Sequence, residues 1–372
     1  MRAKHGFAVS FRNRGRMMGC LMALSLALSA LVFAPAAANA AGPAPGGPTY
    51  IALGDSESYG YSAQRFKENY PVESPSRFEE GFVNLFNKDL NKTYKGITPV
   101  NLSCPGETSN GLIGEDTAFG GQLSTELESP PASFQGPGDW HPCAYHNAEG
   151  FPLHASYGKH SQLEDALDIL NEVNPITGKP TEVKAITFQI GANDLFGLKN
   201  QCIYEVTKEF TETGKSKYGE TPEFAVTACI YASVSTVTIP DVLNNTADVL
   251  KVLDTEGHYT GPIVVLGFYN PLTFVKGGFP DLLATEVNKH LEEITKEFPN
   301  VTFANPFPVF NKKKKGAAEE QEKICKYTEM CNPNVQEGGT PTGKDGDIHP
   351  SLEGHKAIAK LLKQAWEANP AK

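Results

Sequence analysis

The chain has 372 residues, 33 Lys+Arg against 43 Asp+Glu, and 40% hydrophobic residues, enough to bury at least one full core. Disordered and collagen-like classes are excluded by that composition. The acidic balance argues against a general binder of nucleic acid or of anionic lipid, since both reward clustered positive charge.

The first 40 residues read as an export signal: basic residues up to Arg16, an apolar run from Leu21 to Phe33, then Ala38-Asn39-Ala40 as a small-x-small cleavage site. The apolar run is shorter than the ~20 residues of a spanning helix, so cleavage near Ala41 is expected rather than a transmembrane anchor. Removing it leaves 28 Lys+Arg against 43 Asp+Glu, a net charge of −15. A secreted, monomeric protein is the expectation. Residues 41–48 are rich in Gly and Pro and read as a linker, and 49–372 as a single domain without internal repeats.

Export sets the reading of the cysteines. Cys20 leaves with the signal, and Cys104, Cys143, Cys202, Cys229, Cys325 and Cys331 remain, an even number in an oxidising compartment. Loop-closure entropy favours pairing neighbours: Cys104 with Cys143, Cys202 with Cys229, Cys325 with Cys331.

The elements then follow in order. Thr49 to Leu53 is a strand and Phe78 to Leu90 has helical spacing. Ser161 to Glu164 has the form of a capping box ahead of a helix whose Leu163, Ala166, Leu167 and Leu170 share one face. Val183 to Ile190 reads as a strand, Phe224 to Leu253 as mostly helix interrupted at Pro240, and Pro262 to Phe268 as a strand. Leu283 to Phe298 is helical, Val301 to Ala304 a strand, and Ser351 to Ala368 a closing helix. Strands alternating with helices imply an α/β domain with a mostly parallel central sheet covered on both faces. Gly111 to Lys159 and Asn311 to Lys344 read as long loop insertions that wall a cleft. In the first, Phe119, Phe134, Trp140, Tyr145, Phe151 and Tyr157 suit an acyl chain, a sugar ring or core packing equally.

Four separated blocks carry the chemistry. Ser56 lies in Ala52 to Gly60 (ALGDSESYG), just after the first strand, where a strand-to-helix turn exposes a hydroxyl at the carboxyl edge of the sheet. Gly106 lies in Asn101 to Ser109 (NLSCPGETS), Asn193 at the end of the strand closing on Ile190, and His349 in Asp345 to Pro350 (DGDIHP), before the last helix. They supply a hydroxyl nucleophile, an imidazole base, and oxyanion donors from the Ser56 N–H, the Gly106 N–H and Asn193, which is the set that acyl transfer needs. Each block alone is a common turn or cap. All four in this order are not.

With those blocks the sequence resembles the SGNH hydrolases, the family of GDSL esterases and lipases, over essentially the whole mature chain. The resemblance implies a three-layer, flavodoxin-like fold and hydrolysis of a small-molecule or lipid ester through an acyl-enzyme, with no metal or other cofactor. Two positions depart from the pattern. Glu57 stands where the first block usually has Leu. The acid three residues before the histidine is replaced by Gly346, with Asp345 and Asp347 flanking it. Asp347 is the expected triad acid, with Asp345 or a backbone carbonyl as substitutes, because the third member orients the ring rather than taking its proton.

Other readings are weaker. His141, Cys143, His146, His154 and His160 crowd one insertion, but their irregular spacing does not match a zinc site. His355 reads as structural. No phosphate-loop or dinucleotide motif is present, so no nucleotide cofactor is implied. The same machinery would also serve a carbohydrate O-acetyl esterase, and a non-catalytic exported binding protein on this scaffold is the rival from another class.

Overall fold

The computed structural model describes residues 47–69, 74–114, 152–155, 161–173, 178–273, 279–311, 316–335 and 346–372. All of them lie in one unit, Ala38–Lys372. The signal reading of residues 1–40 falls outside the described residues, as do the six aromatic residues of the first insertion.

Five strands form one sheet: β1 (Pro48–Gly54), β2 (Thr98–Asn101), β3 (Glu182–Gln189), β4 (Ile263–Leu266) and β5 (Val301–Ala304). Every pairing is parallel and the spatial order is β2-β1-β3-β4-β5. The order of strand addition therefore reverses between β1 and β3, β2 being added on one side of β1 and β3 to β5 on the other, which leaves a crevice at the carboxyl ends of β1 and β3 where open α/β sheets hold ligands. β1 begins at Pro48, one residue inside the stretch read as a linker.

The period of two along β1 sorts its side chains onto two cores. Ile51 and Leu53 pack with Phe188, Val249 and Leu253 on one face. Tyr50 and Ala52 pack with Phe86, Ile358 and Trp366 on the other. Buried on both faces, the strand reads as a continuous apolar run, as a central parallel strand should.

The helices complete the layers. Short α1 (Ser56–Tyr59) and α2 (Ala63–Glu68) follow β1, then α3 (Phe82–Thr93), a short α4 (Ser109–Leu112), and α5 (Gln162–Asn171), whose capping box between Ser161 and Glu164 is formed as expected. Helix α3 starts four residues later than its apolar spacing suggests, because Gly81 stands against Gly60, where an added Cβ would lie 2.8 Å from the Gly60 Cα.

After β3 comes α6 (Ala192–Thr213), a 22-residue helix whose Leu195, Leu198, Cys202, Val206 and Phe210 lie along one face. It pairs with α7 (Pro222–Ser233) through the Cys202–Cys229 disulfide and a small core of Leu198, Val206 and Ala225. Pro240 does not break the chain's helical course. A π-turn at Val234–Thr238 relieves the clash its ring would make with the preceding turn, and α8 (Ile239–Thr255) continues. The continuous Pro222–Thr255 segment is long and apolar enough to span a membrane by length and composition. In its second half Val249, Leu250 and Leu253 belong to the core.

Helix α9 (Phe279–Thr295) precedes β5, and α10 (Phe307–Phe310), α11 (Ala317–Tyr327) and α12 (Leu352–Ala368) follow it. The second insertion thus carries a helix, α11, rather than loop alone, and the Cys325–Cys331 disulfide closes its end. Cys104 is also disulfide-bonded; its expected partner, Cys143, lies outside the described residues.

Candidate active site

The site is built on the turn from β1 into α1. At Gly54, φ is +147°, and an added Cβ would lie 2.3 Å from the Gln189 carbonyl oxygen, so only glycine fits. Asp55 caps α1 by accepting the Glu57 N–H at 2.9 Å, which fixes Ser56 as the first helical residue at the sheet's carboxyl edge. Ser56 is 9% exposed.

His349 arrives from the far end of the chain, on the loop before α12. Its Nε2 lies 2.8 Å from Ser56 Oγ. Its Nδ1 hydrogen-bonds Asp347 Oδ1. An ionised carboxylate only accepts, so Nδ1 carries the proton and Nε2 is left to accept the Ser56 hydroxyl proton. Asp347 Oδ1 also takes the His349 backbone N–H at 3.1 Å, and Oδ2 takes the Ala63 N–H at 2.7 Å, which ties the loop to the start of α2.

The displaced acid has a steric cause. A Cβ at Gly346 would stand 2.0 Å from the Met330 carbonyl oxygen, so no carboxylate can occupy the position three residues before the histidine. Asp347 supplies the carboxylate instead. Asp345 lies outside the described residues.

Further contacts hold the histidine loop. The Glu329 N–H donates to the His349 carbonyl at 2.9 Å. The Tyr269 hydroxyl donates to the Ile348 carbonyl at 2.8 Å. Tyr61 presents its ring to the imidazole with centroids 4.8 Å apart.

Gly106 and Asn193 meet through one residue. The Asn193 side-chain amide donates to the Glu107 carbonyl at 2.9 Å, placing it beside Gly106, whose φ of +81° turns the chain there. Gln162, at the start of α5, brackets this block to the nucleophile turn. It accepts the Gly54 N–H at 2.9 Å and donates to the Gly54 carbonyl at 2.9 Å and to Glu107 Oε2 at 3.0 Å. Sequence reading passed over Gln162, Glu107 and Tyr269. The only sequence signal for Gln162 was its place inside the capping box, which concerns the helix and not the site.

Asp194, next to Asn193, takes the Ser109 N–H and hydroxyl, the latter at 2.6 Å, and Asn245 donates to that hydroxyl at 2.9 Å. This network locks the start of α6 against α4.

Asp55, Glu107, Asp194 and Asp347 are buried carboxyls around the nucleophile turn. Burial pushes Asp55 up to about 6 and Glu107 up to about 7. Burial, reinforced by the Asp55 charge, pushes Glu57 up to about 8. Burial also opposes charge on Asp347 and His349, but their mutual attraction and hydrogen bond prevail: Asp347 falls below and His349 rises above its ordinary value.

His154, one of the five residues drawn as a possible zinc cluster, bonds the Tyr59 carbonyl through Nε2 at 3.0 Å and packs on the Tyr59 ring. Burial lowers it to about 4. His141, Cys143, His146 and His160 lie outside the described residues, and no group of three metal-ligating side chains is assembled among the described ones. His355 is buried in α12 and accepts the Phe82 N–H at 3.3 Å through Nδ1.

Comparison with known proteins supplies the family. The GDSL-like lipase/acylhydrolase family matches residues 50–362. The chain belongs to that family. It is a carboxylic ester hydrolase on a parallel α/β scaffold, as its sequence blocks imply.

Among solved structures, a GDSL-like lipase from Parabacteroides merdae aligns over 86% of this chain and 95% of its own, at 13% identity and a TM-score of 0.42. A member of the lipolytic G-D-S-L family from Veillonella parvula aligns over 86% and 98%, at 12% identity and a TM-score of 0.40. An acetyl xylan esterase from Geobacillus stearothermophilus aligns over 86% and 94%, at 13% identity and a TM-score of 0.37. No curated protein matches the chain. Likeness at this level carries nothing about which ester this GDSL hydrolase cleaves.

Proposed function

We propose that this GDSL hydrolase is a secreted serine esterase or lipase in which Ser56 attacks the ester carbonyl. His349 takes the Ser56 proton through Nε2 and returns it to the leaving alkoxide. The acyl group is then carried on Ser56 Oγ until water, activated by the same imidazole, releases the acid. Asp347 holds the ring with its proton on Nδ1 and stabilises the imidazolium that forms. The Ser56 and Gly106 N–H groups and the second N–H of Asn193 are the donors for the oxyanion.

One observation carries this reading. The 2.8 Å contact of His349 Nε2 with Ser56 Oγ joins residues 293 positions apart, with the other ring nitrogen on a buried carboxylate. A capped turn has no need of such a pair.

Secretion is supported by the disulfide bonds and by the first 40 residues, whose removal gives a start at Ala41. N-terminal sequencing of protein from the culture medium tests this; an intact Met1 on cell-retained protein overturns it. Hydrolysis of p-nitrophenyl acetate and octanoate by the wild type beside Ser56→Ala tests the chemistry. The ratio of the two rates ranks short against long acyl chains.

A further inference from the structure

A cavity of about 230 Å³ lies against the loop that carries His349. Its floor is buried: Gly60, which closes α1, Pro350, which follows His349, and His355 on α12. Its rim is exposed and carries Glu68, Glu80 and Leu352. Ser56 and His349 do not line it, so a molecule held here sits beside the catalytic pair without touching it.

His355 is the group that a packing role leaves unexplained. It is 5% exposed, and its Nδ1 accepts the Phe82 N–H at 3.3 Å. A neutral imidazole has one donor and one acceptor, so Nε2 carries the proton. Burial keeps the ring neutral, lowering it to about 3. That Nε2–H meets no acceptor among the described residues, and the ring lines the cavity. A buried N–H without an acceptor is costly, and an oxygen of a bound molecule removes that cost.

The other walls decide what kind of molecule. Arg65 spends one N–H on Glu80 and one on the Arg77 carbonyl at 3.1 Å, two of the five a guanidinium has. Glu329, half-buried, takes the Asn332 amide on Oε2 at 2.5 Å, and Glu68 takes the Gln64 amide on Oε1 at 2.7 Å, which leaves each carboxylate one oxygen to accept with. Three carboxylates against one guanidinium repel an anion. A metal ion finds no set of three ligating side chains among the described residues, and an ammonium, which only donates, leaves Arg65 and His355 unmet. A hydroxyl donates and accepts, so it satisfies both kinds of wall. Several hydroxyls on one ring, with a C–H face toward Leu352, suit a cavity below the ~300–1,000 Å³ of drug-sized pockets.

We propose that this cavity binds one neutral sugar ring: the His355 Nε2–H and Arg65 donate to its oxygens, and Glu329 and Glu68 accept from its hydroxyls. The ring is a free sugar or the sugar part of an ester substrate, and both present the same chemistry. The first source is independent of the esterase reading; the second rests on it.

The test is saturation-transfer NMR of glucose, galactose and xylose with the mature chain, beside His355→Asn and Glu68→Ala, each checked for folding by circular dichroism. Asn still offers an oxygen to the Phe82 N–H but places no N–H where Nε2 stood. Glu68 is on the exposed rim, so its removal spares the fold and decides alone if His355→Asn does not fold. Expected is transfer to at least one sugar with a Kd of about 1–10 mM, weakened about tenfold in His355→Asn and about threefold in Glu68→Ala. KM for the monoacetylated form of the bound sugar, taken as a ratio to KM for p-nitrophenyl acetate, separates the sources. A ratio raised about threefold or more in Glu68→Ala assigns the site to the sugar of the substrate, and an unchanged ratio to a free sugar. No transfer to any of the three at about 50 mM, or equal transfer with every folded variant, overturns the proposal and leaves a cavity for water. A wild type inactive on every ester that still shows the transfer overturns the esterase reading and leaves the sugar site standing.

Discussion

Gly346 presses so closely on Met330 that a single added carbon would lie 2.0 Å from the Met330 carbonyl oxygen. In the proposed triad this contact places the carboxylate that holds His349 one position along the chain, at Asp347. The backbone bond from Glu329 to His349 and the Thr328–Pro350 bridge hold the two segments together at this spacing. The acid therefore cannot be moved back by substitution.

Restoring the usual residue is thus destructive. Gly346→Asp is expected to destabilise the protein by about 1–3 kcal/mol through overpacking, and to lower activity rather than raise it. Urea unfolding at constant slope reads the first and ester hydrolysis the second. An active, fully stable Gly346→Asp protein would show that the Met330 contact does not choose the acid.

Asp347→Asn keeps the size of the side chain and removes its charge. The amide favours the wrong imidazole tautomer, and kcat is expected to fall by about 10³–10⁴ with KM little changed. Asn193→Ala should cost about 10²–10³ in kcat through loss of one oxyanion donor. Steady-state kinetics on a short p-nitrophenyl ester measures both. A loss in KM alone would place either residue in ground-state binding instead.

Gln162→Leu removes three hydrogen bonds at once, takes the side-chain acceptor from the buried Gly54 N–H, and leaves the Gly54 carbonyl with the Cys104 N–H as its donor. The expected loss is about 2–4 kcal/mol of stability, since each unsatisfied buried group costs about 1–3 kcal/mol. Activity should fall with it, because the same bracket ties Glu107 to the nucleophile turn. Thermal and urea unfolding check the first figure; a change below 0.5 kcal/mol, a size ordinary for surface substitutions, would mean that the turn holds itself.

Stability should depend on pH from both sides. His355, lowered to about 3, and His154, lowered to about 4, bind fewer protons folded than unfolded. Their contribution is present above the ordinary histidine value near 6.5 and is lost as pH falls from there toward 3–4. Asp55, Glu57 and Glu107 have the opposite sign, with folded values of about 6, 8 and 7. Their stabilisation is present below the ordinary carboxyl range and is lost as pH rises through those values. A melting temperature that falls on both sides of a mildly acidic maximum is expected. A flat curve between pH 4 and 8 would contradict the buried, neutral state of these groups.

The two disulfides with both ends among the described residues should differ in weight. Cys202–Cys229 spans 27 residues and Cys325–Cys331 spans 6. In the chain-entropy account the first contributes about 3.5 kcal/mol and the second about 2. Paired Cys→Ala variants, each compared by urea midpoint, should rank in that order. Equal or reversed losses would show that native contacts, not loop closure, set their value.

Much of this was legible in the sequence because it was written locally. The apolar run of β1, the capping box at Ser161 and the blocks around Ser56, Gly106, Asn193 and His349 each carry their signal within a few residues. Helix α6 was passed over although Leu195, Leu198, Cys202, Val206 and Phe210 recur along one face and pack in one small cluster, because polar residues separate them. Nor was the reason for the displaced acid, since Met330 and Gly346 are 16 positions apart and only the fold makes them touch. The Gln162 bracket joins residues 108 apart and leaves no periodic trace at all.

The most direct test of the account is intact-protein mass spectrometry of the mature chain quenched during p-nitrophenyl acetate hydrolysis, with Ser56→Ala in parallel. The account predicts a single acetyl adduct that maps to Ser56, and a folded Ser56→Ala protein that neither acquires it nor turns over, with hydrolysis down by about 10⁴-fold or more. Equal hydrolysis by the two proteins, or an adduct on another residue, would contradict it.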